Sequence, residues 1–184
     1  MNSGSILTRA ENSSRDAEMV VVWDRVIRFL ARQRYGVIST VDPARGPESA
    51  LVGVAWWQPL SGAAQLIFDT TSVTRKVKNI ANDPRCSFVI GWEDETTVQL
   101  EGRARWLEGS ELERAKRDYF RIWPECRAHE RWPDVAYFSV RPTWLRYPCY
   151  LESPTIMEFD EQQLATAFQR RAAALFAAVD PSTE

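Results

Sequence analysis

Residues 36–69 decide the fold: GVISTV (36–41), DPARGP (42–47), ESALVGVAWW (48–57), QPLSG (58–62) and AQLIFD (64–69) follow one another almost without a break. Short runs rich in Val, Ile and Trp alternate with turns built on Pro and Gly, the pattern of antiparallel strands joined by tight connections. A three-strand meander is predicted. The pattern returns in RCSFVIGW (85–92) and TTVQLEGRARWL (96–107), joined by the acidic turn Glu93-Asp94-Glu95, and in VAYFSV (135–140), TWLRYPCYL (143–151) and TIMEF (155–159). Helical spacing occupies the gaps. From Asp16 to Arg34 the apolar Met19, Trp23, Val26, Ile27 and Leu30 recur mostly three and four residues apart, and RKVKNIAN (75–82) is closed by Asp83-Pro84. Ser110 and Glu113 have the capping-box spacing at the start of a charged helix to Ile122, and an Ala-rich helix is predicted over 161–179. The Trp-, Pro- and Arg-rich segment 123–133 reads as a loop. Six or more short strands with few helices predict a mainly β fold, a closed or partly closed Greek-key-like antiparallel barrel with peripheral helices at its ends.

The chain has 184 residues, which suits one domain over 15–184 after a Ser-, Asn- and Gly-rich tail, 1–14, that reads as disordered. Lys plus Arg number 23 and Asp plus Glu 25, a net charge of −2, so there is no global case for nucleic acid or an anionic membrane as partner. Arg114, Lys116, Arg117, Arg121, Arg127 and Arg131, with Trp123 and Trp132, form a basic and aromatic cluster. Glu111, Glu113, Asp118, Glu125 and Glu130 interleave with it, and a salt-laced exposed helix is the simpler account. Cys86, Cys126 and Cys149 are an odd number without a C-x-x-C pair, which favours a reducing compartment. With no apolar run resembling a signal peptide or a span, a cytoplasmic protein is expected. His129 is the single histidine and sits among Arg127, Glu130 and Arg131, so multi-histidine metal sites are excluded, no metal is expected, and the residue reads as part of a surface loop.

No G-x-G-x-x-G, Walker A or G-x-S-x-G motif can be assembled from the glycines, which removes the dinucleotide, P-loop and serine-hydrolase readings. The informative stretch is LIFDTTSVTRK (66–76), a strand running into a hydroxyl-rich loop and then a helix that begins with two cations. Arg75 and Lys76 at a helix N-terminus oppose the helix dipole by a few tenths of a kcal/mol or more unless an anion is present. A phosphomonoester resolves the conflict. The free N–H groups of the first turn, the hydroxyls of Thr70, Thr71, Ser72 and Thr74, and the two cations together suit its oxygens.

The run F-D-T-T-S-V-T-R-K from Phe68, then N-I-A-N-D-P-R-C-S-F-V-I-G-W to Trp92 and V-Q-L-E-G-R-A-R-W-L from Val98, resembles the pyridoxamine 5′-phosphate oxidase-like FMN-binding split-barrel superfamily over Tyr35 to Leu107, and more weakly to the final strands. The resemblance implies a homodimer of split barrels with FMN at the interface. It places Arg75 and Lys76 at the FMN phosphate, with Thr71 and Thr74 beside them. Asp69 and Thr70 lie on the strand end beside the cofactor, and Val54, Ala55 and Trp56 on the strand whose backbone lines the isoalloxazine ring. Thr97 matches a glutamine of the authentic oxidase, and Trp144 matches a tryptophan that reaches the flavin from the partner subunit. The implied activity is that of an FMN-dependent oxidoreductase acting on a small molecule, with reduced nicotinamide as candidate electron donor and no side chain assigned a catalytic role. The alternatives on the same fold are a non-catalytic flavin-binding or stress-response module and a reductase using the deazaflavin F420. A single histidine in a charged loop argues against haem. Val52–Trp57 replaces the oxidase's R-x-V-L-L-K strand and its C-terminal arginine–histidine motif has no counterpart, so an authentic pyridoxine-phosphate oxidase is not expected.

Overall fold

The structure, a computed structural model, describes residues 21–57, 59, 63–92, 95–150 and 155–167. The predicted tail 1–14, Met19, most of the 58–62 turn, Glu93, Asp94 and the final helix beyond residue 167 lie outside the described residues. The strands are β1 (Tyr35–Asp42), β2 (Gly46–Trp57), β3 (Gln65–Thr71), β4 (Arg85–Ile90), β5 (Val98–Trp106), β6 (Val135–Cys149) and β7 (Thr155–Asp160). Their hydrogen-bonded order is β3-β2-β1-β4-β5-β6-β7, and β3 also pairs with β6, which closes six strands into a barrel. Three meander strands followed by a fourth that returns beside the first is a Greek key. The fold is therefore the predicted mainly β split barrel. Its opening hairpin is held in register by Asp42, whose carboxylate accepts the N–H groups of Ala44 (2.8 Å) and Arg45 (3.2 Å).

The strand alternation sorts residues between two cores. Val52 and Val54 of β2, Leu66 and Phe68 of β3, and Phe138 and Val140 of β6 point into the barrel. Helix α1 (21–30) closes that interior with Trp23, Val26, Ile27, Phe29 and Leu30, Trp23 packing edge-on to Phe159 and Phe29 edge-on to Tyr147. The opposite faces of the same strands offer Ala55, Trp57, Ile67 and Tyr137 to a second core, where helix α3 (Gly109–Ile122) and the following 3-10 helix (Pro124–Arg131) supply Ala115, Tyr119, Phe120, Trp123 and Cys126. Trp56 and Trp57 accordingly face opposite cores. Burying each large side chain there contributes about 1.5–3 kcal/mol.

Three local expectations are corrected. The segment 123–133 is not a loop over most of its length but the 3-10 helix, whose Pro124 sits in its first turn, where the missing N–H has no helical partner to lose. The capping box does not form: Gly109, at φ 56°, turns the chain so that the helix begins ahead of Ser110, and Glu113 pairs instead with Lys116 at 3.2 Å. VAYFSV and TWLRYPCYL are one strand, β6. The break expected at Pro142 is absorbed by a register shift in which Glu101 faces Trp144 and Gly102 faces Pro142, leaving Thr143 as the extra residue of a bulge. Gly102 is needed there, since a Cβ would lie 2.5 Å from the Arg141 carbonyl oxygen.

Candidate functional site

β3 ends at Thr71 and the chain turns sharply through Ser72–Thr74 into helix α2 (Arg75–Asn82). The Ser72 N–H donates to the Asp134 carbonyl at 2.7 Å, and both the N–H and the hydroxyl of Thr74 donate to the Thr71 carbonyl, at 3.1 and 2.9 Å. Thr74 is thereby the N-cap residue by position while its hydroxyl is spent on the turn, so no side chain caps the first turn of α2. Lys76 folds back over this turn and its Nζ donates to Thr70 Oγ1 at 3.2 Å, with Thr74 Oγ1 3.4 Å from Thr70 Oγ1. Thr70, Thr74 and Lys76 thus converge, half-buried, beside an uncapped helix start. Burial holds the Lys76 ammonium below the ordinary lysine value, against the opposing pull of Glu48.

Glu48 is the residue the sequence reading misses. It stands on β2 opposite Thr40, and its carboxylate meets the Arg75 guanidinium at 3.4 Å and accepts from Asn79 Nδ2 at 3.1 Å. Asn79, buried on α2, also donates to Thr40 Oγ1 at 3.0 Å, so the helix is tied to the barrel directly beneath its two cations. In the sequence Glu48 is one polar residue after a turn. Only the register of β1 with β2 and the docking of α2 reveal that it is the internal counter-ion for the charges that conflict with the helix dipole.

The other predicted site residues separate. Asp69 follows Ile67 onto the outer face of β3, away from Thr70, where its carboxylate accepts the Tyr119 hydroxyl at 2.7 Å and lies 3.7 Å from His129 Nδ1. That contact and the neighbouring carboxylate add to burial in pushing the Tyr119 phenol well above its ordinary value. His129 is half-buried and stacked on Trp132, with ring centroids 4.0 Å apart, rather than fully exposed. Val54 pairs with Phe68 two residues before Thr70, and its backbone groups are engaged internally: its N–H donates to the Arg34 carbonyl at 2.8 Å and its carbonyl accepts the Trp123 indole at 3.0 Å. Ala55 is buried and Trp56 half-buried beside it. Thr97 and Trp144 lie elsewhere. Thr70 faces Ala136 at the start of β6, whereas Trp144 is eight residues along that strand and Pro148, whose carbonyl accepts the Thr97 N–H at 3.4 Å, is twelve, about 25 and 40 Å of strand.

The six-strand Greek-key barrel, with a hydroxyl-rich strand end feeding an uncapped helix that begins with two cations, is a split barrel. The sequence profile of the Pyridoxamine 5′-phosphate oxidase family matches residues 22–149, more than half of the chain, and the protein belongs to that family. No curated protein matches it. Among solved structures, the fold is similar to General Stress Protein 26 from Bacillus anthracis (22% identity, TM-score 0.54, covering 75% of this chain and 98% of that one) and to a heme binding protein from Mycobacterium smegmatis (19%, TM-score 0.63, 83% and 66%). It is also similar to a NimC/NimA family protein from Clostridium acetobutylicum (11%, TM-score 0.56, 75% and 94%). At such identities the likeness concerns the fold. Among the described residues no helix is long and apolar enough to cross a membrane.

Proposed function

We propose that this chain is an FMN-binding oxidoreductase acting on a small molecule, with the phosphate end of the cofactor held by Thr70, Thr71, Thr74, Arg75 and Lys76. The observation that supports it is the uncapped first turn of α2 under a half-buried ammonium and two converging hydroxyls. Those donors suit a phosphate dianion in number and charge, and a dianion there complements the helix dipole that Arg75 and Lys76 oppose. Bound FMN would supply hydride chemistry at its ring. The protein's part is binding and orientation: Lys76 and the threonines fix the phosphate, and Glu48 holds Arg75 and Asn79 so that α2 keeps its place on the barrel.

We also propose a homodimer. Leu51, Val37 and Val89 stand side by side across β2, β1 and β4 on the outer face of the barrel, with Leu51 61% and Val89 41% exposed. An apolar row of this kind suits a second copy of the sheet better than water. The wide separation of Trp144 and Thr97 from Thr70 within one chain fits their reaching the cofactor from the partner subunit. The test is the visible spectrum of the purified full-length protein followed by anaerobic addition of reduced nicotinamide. The two-banded spectrum of oxidised flavin, bleached by the reductant, is expected. A deazaflavin band or a haem Soret band in its place overturns the FMN assignment, and a flavin that no reductant bleaches at a catalytic rate overturns the enzyme reading.

A further inference from the structure

The second core contains a set of side chains that the flavin reading does not use. Asp69 of β3 and Cys126 and His129 of the 3-10 helix each present one ligand atom, and these atoms all lie within 4.8 Å of one another. The convergence has a simple origin. A 3-10 helix has about three residues per turn, so Cys126 and His129, three apart, stand one above the other on the face that the helix turns toward β3. His129 Nδ1 and Asp69 Oδ2 are 3.7 Å apart, beyond a good hydrogen bond and close to the roughly 3.4 Å that separates two ligands on a tetrahedral ion with bonds of about 2.1 Å. From this juxtaposition we propose that Asp69, Cys126 and His129 form a binding site for a divalent metal ion of borderline softness, zinc above all, with a fourth position open to water.

The surroundings are those of a metal site. The Tyr119 hydroxyl donates to Asp69 Oδ1, which orients the carboxylate and leaves Oδ2 toward His129, and the Trp132 ring fixes the imidazole plane by stacking. Tyr137 is the cross-strand partner of Asp69, so its side chain lies on the same face, and its buried hydroxyl has no hydrogen-bond partner among the described residues. One nitrogen, one sulfur and one oxygen ligand suit zinc better than calcium or magnesium, which take oxygen ligands. Binding replaces the Cys126 thiol proton by the metal, so one proton leaves as the sulfur–metal bond forms and no electron is transferred. This departs from the sequence expectation of no metal, which rested on a single histidine. The three ligands are 57 residues apart from Asp69 to Cys126 and three more to His129, with no motif joining them.

The inference is independent of the flavin reading, because Asp69 lies on the outer face of β3, toward the 3-10 helix that carries Cys126 and His129, and Thr70 on the inner one. The test is equilibrium dialysis of the full-length protein against zinc, with cobalt as the spectroscopic probe, on the parent, Cys126→Ser and His129→Ala. One ion per chain, a thiolate-to-cobalt charge-transfer band that Cys126→Ser abolishes, and affinity at least about a hundredfold weaker in both variants are expected. His129 is half-exposed, so His129→Ala remains a usable variant if Cys126→Ser fails to fold. Failure of the folded parent to take up one ion per chain, or uptake unchanged by His129→Ala, overturns the site.

Discussion

Glu48 carries more of the candidate site than any residue singled out from the sequence, because one carboxylate serves Arg75 and Asn79 together and stands beside Lys76. Its charge also opposes an incoming phosphate. Glu48→Gln keeps the contact to Asn79 and removes that repulsion, so FMN affinity is expected to rise by about 1 kcal/mol, roughly fivefold, in a fluorescence titration. Weaker binding by this variant would mean that the ion pair with Arg75 contributes more to phosphate binding than the repulsion costs. A second residue adds to the loss of stability at high pH. Burial pushes the Cys86 thiol up to about 12 from an ordinary 9.0, and the same cause raises Tyr119 and Tyr137. Below pH 9 the Cys86 thiol is protonated whether folded or unfolded and its contribution is complete. Between about 9 and 12 only the unfolded thiol ionises, so stability falls by up to about 1.4 kcal/mol per pH unit from this group. Urea denaturation of the parent and of Cys86→Ala across that range checks this, the variant being expected to lose stability less steeply.

At the scale of elements, the bulge that joins β5 to β6 is the most exacting feature. With its Cβ 2.5 Å from the Arg141 carbonyl oxygen and 2.8 Å from Val140 Cγ1, Gly102→Ala forces the two strands apart and is expected to cost about 1–3 kcal/mol in chemical denaturation. A variant as stable as the parent would show that the bulge relaxes freely. This element also marks where the sequence stops being legible. Pro142 reads as a strand break because proline cannot donate to a ladder, and the repair lies in Gly102, forty residues away. The strands of the opening meander are legible because each pairs with its neighbour and its turn residues sit between them. The 3-10 helix is not, since Pro124 and the charges around Cys126 suit a loop equally well until β2, β3 and α3 offer Trp123 and Cys126 a core. Within the site, Thr70, Thr74 and Lys76 are legible as a local cluster. The divergence of Asp69 follows from strand alternation, but which face meets which core is decided by α3, and Glu48 by pairing across β1.

Among the described residues, the closed barrel carries the apolar row Leu51, Val37 and Val89 on its outer face. Placing a charge on the most exposed member of that row, Leu51→Lys, is expected to shift the protein from dimer to monomer in sedimentation equilibrium while leaving its melting transition in place. A parent already monomeric at micromolar concentration with flavin bound would contradict the dimer. Whether this barrel holds the phosphate of FMN at the start of α2, as proposed, is decided by comparing FMN with riboflavin on the parent, Arg75→Ala and Lys76→Ala. Each substitution removes a charge-assisted hydrogen bond worth about 1.5–3 kcal/mol, so FMN should bind roughly ten- to a hundredfold more weakly while riboflavin affinity barely changes. Equal FMN affinity in the parent and both variants, or an equal loss for riboflavin, would contradict the account.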